Sequence, residues 1–414
     1  MKEEELKKFD KIFPWYEGLS GDLLFWIAID TLFLTVVKGF TASQIVSLTS
    51  ISLISCILLQ VPLLKMIQKI GNTKSVRTGS MLLLISSILL TFGRSYITIV
   101  IGKIIYEAAY TFKNMINAVL KNNLEMQNRE NEYIKYRTKA NTIYAVTTMI
   151  ISFIVSFMFN LNNYLPMICC IIFCFICFIL SWYMVDYSND ASKDVVKRKE
   201  KVNYAKIIII MIISYGMFYP IVNSGQSNGK LFIQQELLKL FDVEKTALII
   251  GVILCVSRII RVISNIQFDK IHRKYGEKIG VILSVALFLS LILMVVGYNI
   301  KDAVILKFVI MSLGYVIILF IRDPFKVYIQ DLALRNSDKN SQQTLLTTLE
   351  LSRKIVRSII SLSFTVILIN NPMILVISIL VVLSMIEIAI SIYLYKLIIK
   401  EKEDKVARYE GVKE

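Results

Sequence analysis

The sequence predicts an all-α membrane protein of twelve transmembrane helices, built as two six-helix bundles with both termini on the cytoplasmic side. Composition, the spacing of apolar runs and the sidedness of basic loops lead there. The 414 residues are 56% hydrophobic with a mean hydropathy of +0.63, far above soluble globular chains. A hydrocarbon core about 30 Å thick takes roughly 20 apolar residues of helix. Such runs fall near 18–38, 44–67, 77–93, 96–120, 138–160, 164–185, 206–236, 246–268, 279–298, 302–334, 344–370 and 372–399. The leading MKEEELKKFDK mixes acids with lysines and shows no short apolar core with a small-residue cleavage site. A removable signal peptide is therefore not expected, and the first span is expected to stay in the mature chain.

Taken in order, the first span carries Asp22 and Asp30. Eight residues apart, they are expected on one helix face, with Asp30 roughly 12 Å deeper at about 1.5 Å per residue. A basic turn follows the second span, with Lys65, Lys69, Lys74 and Arg77 around Gly71. The fourth span holds Glu107 near its middle and Lys113 further toward the cytoplasm, before a second basic loop of Lys121, Arg129, Lys135, Arg137 and Lys139. In the sixth span Cys170, Cys174 and Cys177 share a face. That face can be imagined as a thiolate metal site, but no histidine or carboxylate is nearby, and the preferred reading is cysteine as a small hydrophobe. No metal or other cofactor is expected.

The polar segment 186–205 contains Lys193, Lys197, Arg198, Lys199 and Lys201 and separates residues 1–185 from 206–414. It reads as a cytoplasmic linker between the bundles. Beyond it, the seventh span is interrupted by Pro220, Gly225 and Gly229 among Tyr215, Tyr219, Asn223, Gln226 and Asn228. Irregular backbone at membrane depth is tolerated only against protein or a wet cavity, so a cavity-lining break is expected there. The eighth span holds Arg258 and Arg261, and a basic turn with Gly276 follows, carrying Lys270, Arg273, Lys274 and Lys278. The tenth span contains FIRDPFKVYIQ, with Arg322, Asp323 and Lys326 around Pro324, and is followed by Arg335 and Lys339. The eleventh starts with Glu350, Arg353, Lys354 and Arg357, and a charged tail follows the twelfth.

Basic loops alternate with loops holding Lys38, Arg94, Lys301 or no basic residue. The seventh-to-eighth connection, with Lys230, Lys239 and Lys245, is the exception. Since positive residues stay on the cytoplasmic side, both termini are expected inside, with an even number of spans. The same placement accounts for the net charge of +16. A nucleic-acid partner would need basic and aromatic residues on one folded face outside the membrane, and none is expected.

The halves repeat one plan. TFKNMINAVLKNN from Thr111 aligns with PFKVYIQDLALRN from Pro324 at an offset of 213, pairing Phe112 with Phe325, Lys113 with Lys326, Asn117 with Gln330 and Asn123 with Asn336. KMIQKIGNTKSVRTG parallels FDKIHRKYGEKIG, with Gly71 and Gly276 supplying the backbone freedom of a tight turn. On these features the chain resembles the major facilitator superfamily. That family joins two six-helix halves about an axis along the membrane normal, with the substrate site near the midplane. The family's loop motif G-x-x-x-D-R-x-G-R-K is only partly kept: Gly71 matches its second glycine and Lys69 stands for its arginine, while Leu64 and Gln68 replace the first glycine and the aspartate. The glycine- and proline-rich fifth helix of many drug–proton antiporters has no counterpart in 140–160.

The resemblance implies a secondary transporter working by alternating access, without enzymatic activity. Consistently, His272 is the only histidine, and no GxxxxGK[ST], HExxH or serine-nucleophile elbow occurs. Buried ionisable groups are expensive in a bilayer and normally face partners or water. Asp30, Glu107 and Asp22 are the proton-coupling candidates, with a static ion pair of Asp30 or Glu107 with Lys113 as the other reading. Arg258, Arg322, Lys326 and Lys113, with Asn223, Gln226, Asn228, Tyr215 and Tyr219, are the solute-site candidates. A guanidinium suits a carboxylate or phosphate, while pairing of Arg322 with a protein carboxylate is the structural alternative. Gly71, Arg77, Gly276, Glu350, Arg353 and Arg357 are assigned to the cytoplasmic loops and gate, against simple snorkelling of the long bases. The expected partners are a small organic solute, an anionic one favoured, protons and the lipid bilayer, for a monomer in a bacterial plasma membrane. Efflux of amphiphilic or lipid-linked compounds is the alternative function, and a non-transporting membrane receptor the third.

Overall fold

With no water in hydrocarbon to satisfy them, backbone N–H and C=O groups must pair within their own segment. Every regular element in this computed structural model, which describes residues 2–129, 132–187, 206–336 and 342–410, is accordingly helical. In the first part lie α1 (Lys2–Leu19), α2 (Leu24–Leu32) continued by a π-helical turn Phe33–Val37, α3 (Ala42–Ile70), α4 (Asn72–Phe92), α5 (Tyr96–Lys113), α6 (Ile116–Met126), α7 (Tyr133–Leu161) and α8 (Leu165–Ser181). The second part holds α9 (Lys206–Leu238), α10 (Val243–Tyr275), α11 (Ile279–Asn299), α12 (Val304–Arg335), α13 (Gln342–Asn370) and α14 (Met373–Glu410). The chain divides into two compact units, Met1–Arg198 with Phe241–Cys255, and Lys199–Leu240 with Val256–Glu414. Residues 188–205 of the expected linker, and Lys339, lie outside the described residues.

Among the described residues, nine helical stretches are long and apolar enough to cross a membrane. They are Glu4–Val37, Ala42–Ile70, Asn72–Phe92, Lys135–Leu161, Lys206–Leu238, Val243–Phe268, Lys270–Asn299, Val304–Ala333 and Met373–Glu401. The other three expected spans coincide with α5, α8 and α13. The last of these runs through Glu350, Arg353, Lys354 and Arg357, α5 holds Lys103, Glu107 and Lys113, and α8 has only 17 residues.

Three details differ from the sequence expectation. The first span begins much earlier than residue 18, because α1 is amphipathic: Phe9, Phe13 and Tyr16, spaced 4 and 3 apart, are fully buried with Val76, Val119, Leu120 and Ala140. Its charged residues occupy other faces, which is why 1–17 read as a tail. The helix then breaks at residues 20–23, between α1 and α2, and in the fourth span at Asn114 and Met115, between α5 and α6. The seventh span, where a break was expected, is continuous: α9 passes through Pro220, and its glycines serve close packing, Gly225 against Ile318 and Gly229 against Met294 and Tyr315. Likewise α12 runs unbroken through Pro324.

The turn glycines behave as read. Gly71 and Gly276 have φ of 82° and 54° and join α3 to α4 and α10 to α11. Of the equivalent helices, α4 and α11 both have 21 residues, and α7 and α13 both have 29. Near the Gly71 turn the Arg77 guanidinium lies 4.6 Å from the Trp182 ring centre and donates to the Trp182 carbonyl at 3.2 Å. Asn72 and Asn122 both donate to Asp186 at 2.8 Å, pinning the end of the α8 segment to α4 and α6. Outside the spans, hydrogen bonds from Arg129 and then Lys135 hold the Glu132 carboxyl down to about 2. At the other end of the first unit, Lys38 donates to the carbonyls of Thr91 at 2.7 Å and Gly93 at 2.9 Å, closing the C-terminus of α4.

Gly79 sets the approach of α4 to α5. A Cβ there would lie 2.6 Å from the Lys113 nitrogen and 2.8 Å from the Ala109 carbonyl oxygen, both backbone atoms that cannot turn aside. Gly79→Leu is expected to cost at least the ~1–3 kcal/mol typical of overpacking, read as a lower melting temperature of the purified protein. An unchanged melting temperature would show that the two helices do not approach this closely.

Candidate functional site

In the first unit the site grows out of the break between α1 and α2. Gly18 and Gly21 admit α7 there, since a Cβ on either would fall 2.7 Å from Ile143 or 2.6 Å from Tyr144. Asp22 accepts from the Leu23 amide at 2.8 Å, at the start of α2, where the helix dipole favours a carboxylate. It also accepts from the Tyr106 hydroxyl at 2.6 Å. Tyr106 stacks edge-on with Tyr110 at 4.8 Å, and Lys103 lies 5.1 Å from the Tyr106 ring and 5.4 Å from Trp26. On the same helix, Glu107 accepts from Ser52 of α3 at 2.5 Å. Because Asp22 sits in the break, it does not share a continuous helical face with Asp30, as the sequence suggested. The Asp30 carboxylate accepts from the Thr31 amide at 2.8 Å on α2.

Lys113 is 3% exposed and pairs with Glu17 at 3.2 Å, while Arg137 reaches the other Glu17 oxygen at 2.8 Å. The expected partners, Asp30 and Glu107, are not the ones used. Glu17 is close because α1 is helical and follows the buried Tyr16, whose ring lies 6.0 Å from the Lys113 ammonium. Sequence reading passed over Glu17 by leaving it in the tail; an acid directly after the apolar Phe9–Phe13–Tyr16 pattern was the available signal. Behind Asp22 a small cavity is lined by Ser80, Cys170, Cys174 and Cys177 among others. Among the described residues no cluster of His, Cys, Asp or Glu has the arrangement of a metal site.

In the second unit, Tyr215, Tyr219, Asn223 and Gln226 follow one another along α9 at spacings of 4, 4 and 3, which places them in one stripe. Asn228 falls five positions past Asn223 and so lies off that stripe. Arg322 of α12 donates to the Gln226 side-chain oxygen at 2.7 Å and to the Tyr219 hydroxyl at 3.3 Å. The Tyr219 ring has two guanidinium neighbours, Arg322 at 5.8 Å and Arg353 at 5.0 Å. Glu350 collects Arg353 at 2.6 Å, Lys326 at 3.4 Å and the Tyr215 hydroxyl at 3.0 Å.

The carboxylate next to Arg322 is hydrogen-bonded by another base. Arg261 grips Asp323 through Nε at 2.6 Å and Nη2 at 3.0 Å, and Asn265 adds a third bond at 3.2 Å. Among the described residues this cluster thus brings Arg261, Arg322, Lys326 and Arg353 together with Asp323 and Glu350. Below it Phe325 stacks on Phe218 at 3.5 Å and 11°, seating α12 on α9. Arg258 and Arg357 are half-buried one turn from Arg261 and Arg353 respectively. The carboxamide nitrogen of Asn223, on a residue 5% exposed, has no hydrogen-bond partner among the described residues. Sequence reading also missed Glu387 of α14, fully buried and bonded to Ser214 and Ser391; a single acid inside the apolar twelfth span was the signal.

These features define a multi-pass helical membrane protein with ionic clusters inside its helical units. The model of the Major Facilitator Superfamily matches residues 19–348, and the chain belongs to that family. Its fold is similar to the crystal structure of nucleoside transporter NupG, with a TM-score of 0.72 at 12% identity over 95% of this chain and 99% of the other. It is also similar to a bacterial homologue of the iron transporter ferroportin in its inward-facing state, with a TM-score of 0.71 at 14% identity, covering 94% and 98% of the two chains. A D-xylose-proton symporter matches with a TM-score of 0.66 at 12% identity, over 95% and 97%. No curated protein gives a significant sequence match.

Glu17 holds two cations at once. Glu17→Gln leaves the buried Lys113 without its counter-charge, and the expected loss is at the low end of the ~3–5 kcal/mol for breaking a buried pair, because Arg137 is 30% exposed. Chemical or thermal unfolding of the purified protein reads it, and a loss no greater than that of an exposed pair such as Lys121–Glu125 would contradict the assignment.

Proposed function

We propose that this transporter is a secondary active carrier of a small organic solute bearing an anionic group, working by alternating access with protons as the coupling ion. The observation that carries the solute class is the meeting of two guanidinium groups, Arg322 and Arg353, at the Tyr219 ring. Arg322 donates to the side chains of Gln226 and Tyr219, and Arg353 shares Glu350 with Lys326. A carboxylate or phosphate of a solute suits the planar guanidinium groups gathered there. The unpartnered Asn223 amide lies one turn along the same stripe and offers a neutral donor for the rest of the solute.

For the proton, Asp22 is the strongest of the three carboxylates, with Glu107 and Asp30 beside it. It stands where the helix is broken, and its Tyr106 bond joins the two backbone segments to α5. The likeness to a D-xylose-proton symporter is compatible with proton coupling. The same proposal includes twelve spans, made by adding α5, α8 and α13 to the nine apolar stretches. It also takes residues 1–185 and 206–414 as the two bundles, cytoplasmic termini, Glu350, Arg353 and Arg357 as gate residues, and a monomer in a bacterial plasma membrane.

Thermal stabilisation by a panel of organic anions, neutral metabolites and amphiphilic cations tests the solute class. A native-state ligand at a hundred times its Kd stabilises by about 2.7 kcal/mol. Stabilisation by an anion, lost in Arg322→Gln, is the expected result. Stabilisation by cations, unchanged in that variant, would instead support efflux of amphiphiles, and binding without flux in liposomes would support a receptor. With the anion identified, Asp22→Asn is expected to remove the dependence of uptake into liposomes on an imposed pH gradient while leaving binding within about twofold. Unaltered gradient dependence would exclude Asp22 as the coupling group.

A further inference from the structure

Glu387 occupies the midpoint of the Met373–Glu401 span and is 0% exposed. Its surroundings are hydroxyls, contributed by three helices. Ser214 of α9 donates to its Oε1 at 2.8 Å, and Ser391, one turn along α14, donates to the same oxygen at 2.9 Å. Ser391 is in turn 2.8 Å from Ser284 of α11, which lies 3.0 Å from the Gly280 carbonyl oxygen. The second carboxyl oxygen, Oε2, has no hydrogen-bond partner among the described residues.

Among the described residues no cation pairs with it. The elements packed on α14 are α9, α11, α13 and the 3-10 turn Gly276–Lys278. From α9 the carboxyl meets Ser214, whereas the neighbouring Tyr215 turns to Glu350. Helix α11 contains no charged residue. The charges of α13 in this part of the chain, Glu350, Arg353, Lys354 and Arg357, all precede Ser358, and Glu350 and Arg353 engage each other. The turn brings Glu277, which Arg335 pairs at 3.1 Å, together with Lys278. Along α14 itself the nearest charge is Lys396, more than two turns away.

The asymmetry between the two oxygens is that of a carboxylic acid: the carbonyl oxygen accepts two hydroxyls, and the other carries the proton. A carboxylate here would be a bare charge at the middle of an apolar span, with one oxygen unsolvated, the costliest arrangement for an ionisable group in a bilayer. We propose that Glu387 is a proton-binding site within the second unit, occupied by a proton from water on Oε2 and distinct from Asp22, Asp30 and Glu107. Its ligand is the proton itself, and Ser214 and Ser391 are its positioning residues. Release of the proton requires α14 to part from α9 and α11 far enough to admit water. Because Ser214 and Tyr215 are consecutive on α9, that motion also acts on the Tyr215–Glu350 hydrogen bond. The inference stands whether the solute is an anion or not.

Infrared spectroscopy of the purified protein in lipid at neutral pH, with hydrogen–deuterium exchange, tests it. The wild type is expected to show a protonated-carboxyl C=O band that Glu387→Gln removes. Glu387→Gln, isosteric with the neutral acid, is expected to melt close to the wild type, while Glu387→Ala melts clearly lower. Absence of any acid band assignable to Glu387, or melting of Glu387→Gln as low as Glu387→Ala, would overturn the proposal by showing a charged carboxylate. Should Glu387→Gln not fold, Ser214→Ala serves instead. Removing one hydrogen bond to the acid carbonyl is expected to raise the frequency of that band, and a spectrum identical to wild type in the acid C=O region would overturn the assignment.

Discussion

A charge placed inside an apolar helix unit must find its compensation within reach of its own side chain, because solvent does not supply it. Glu17, Glu350 and Asp323 each meet this constraint in a different way. Glu17 balances one deeply buried lysine and one arginine nearer the rim. Glu350 gathers a lysine, an arginine and a tyrosine from three helices. Asp323 is gripped bidentately by Arg261. The positions of α1, α5 and α7 in the first unit, and of α9, α10, α12 and α13 in the second, are tied to these contacts.

Close backbone approach makes such contacts possible. Gly79 brings α4 against the backbone at Lys113, and Gly18 and Gly21 admit α7 to the break between α1 and α2. Aromatic rings do complementary work on the other side of the ions. Tyr16 and Tyr110 flank the Lys113 ammonium, and Tyr219 presents its face to two guanidinium groups. A ring quadrupole stabilises a cation without neutralising it, so the rings add to the ion pairs instead of replacing them. The opposite solution appears at Glu387, where hydroxyls take the place of counter-ions and the group is accommodated as an acid.

The sequence by itself determined the class of fold, because the length of apolar runs answers to bilayer thickness and the bias of basic loops to charge sidedness, and neither needs tertiary knowledge. It also determined the turns at Gly71 and Gly276, whose positive φ is a local property, and it placed Arg322, Lys326, Tyr219 and Gln226 on helices that do come together. Tertiary structure alone decided which ions pair. Lys113 turns to Glu17 because α1 extends back to Lys2, and Asp323 turns to Arg261 because α10 and α12 face each other across 62 residues of sequence. The helix breaks were likewise decided by packing. Pro220 and the glycines of α9 are absorbed into a continuous helix, while the Ser20–Leu23 break has no proline and lies where Gly18 and Gly21 let α7 approach closely. Local sequence carries backbone preference and hydrophobic period; the partner of a buried charge depends on which helix face arrives beside it, a relation between distant segments that no local pattern encodes.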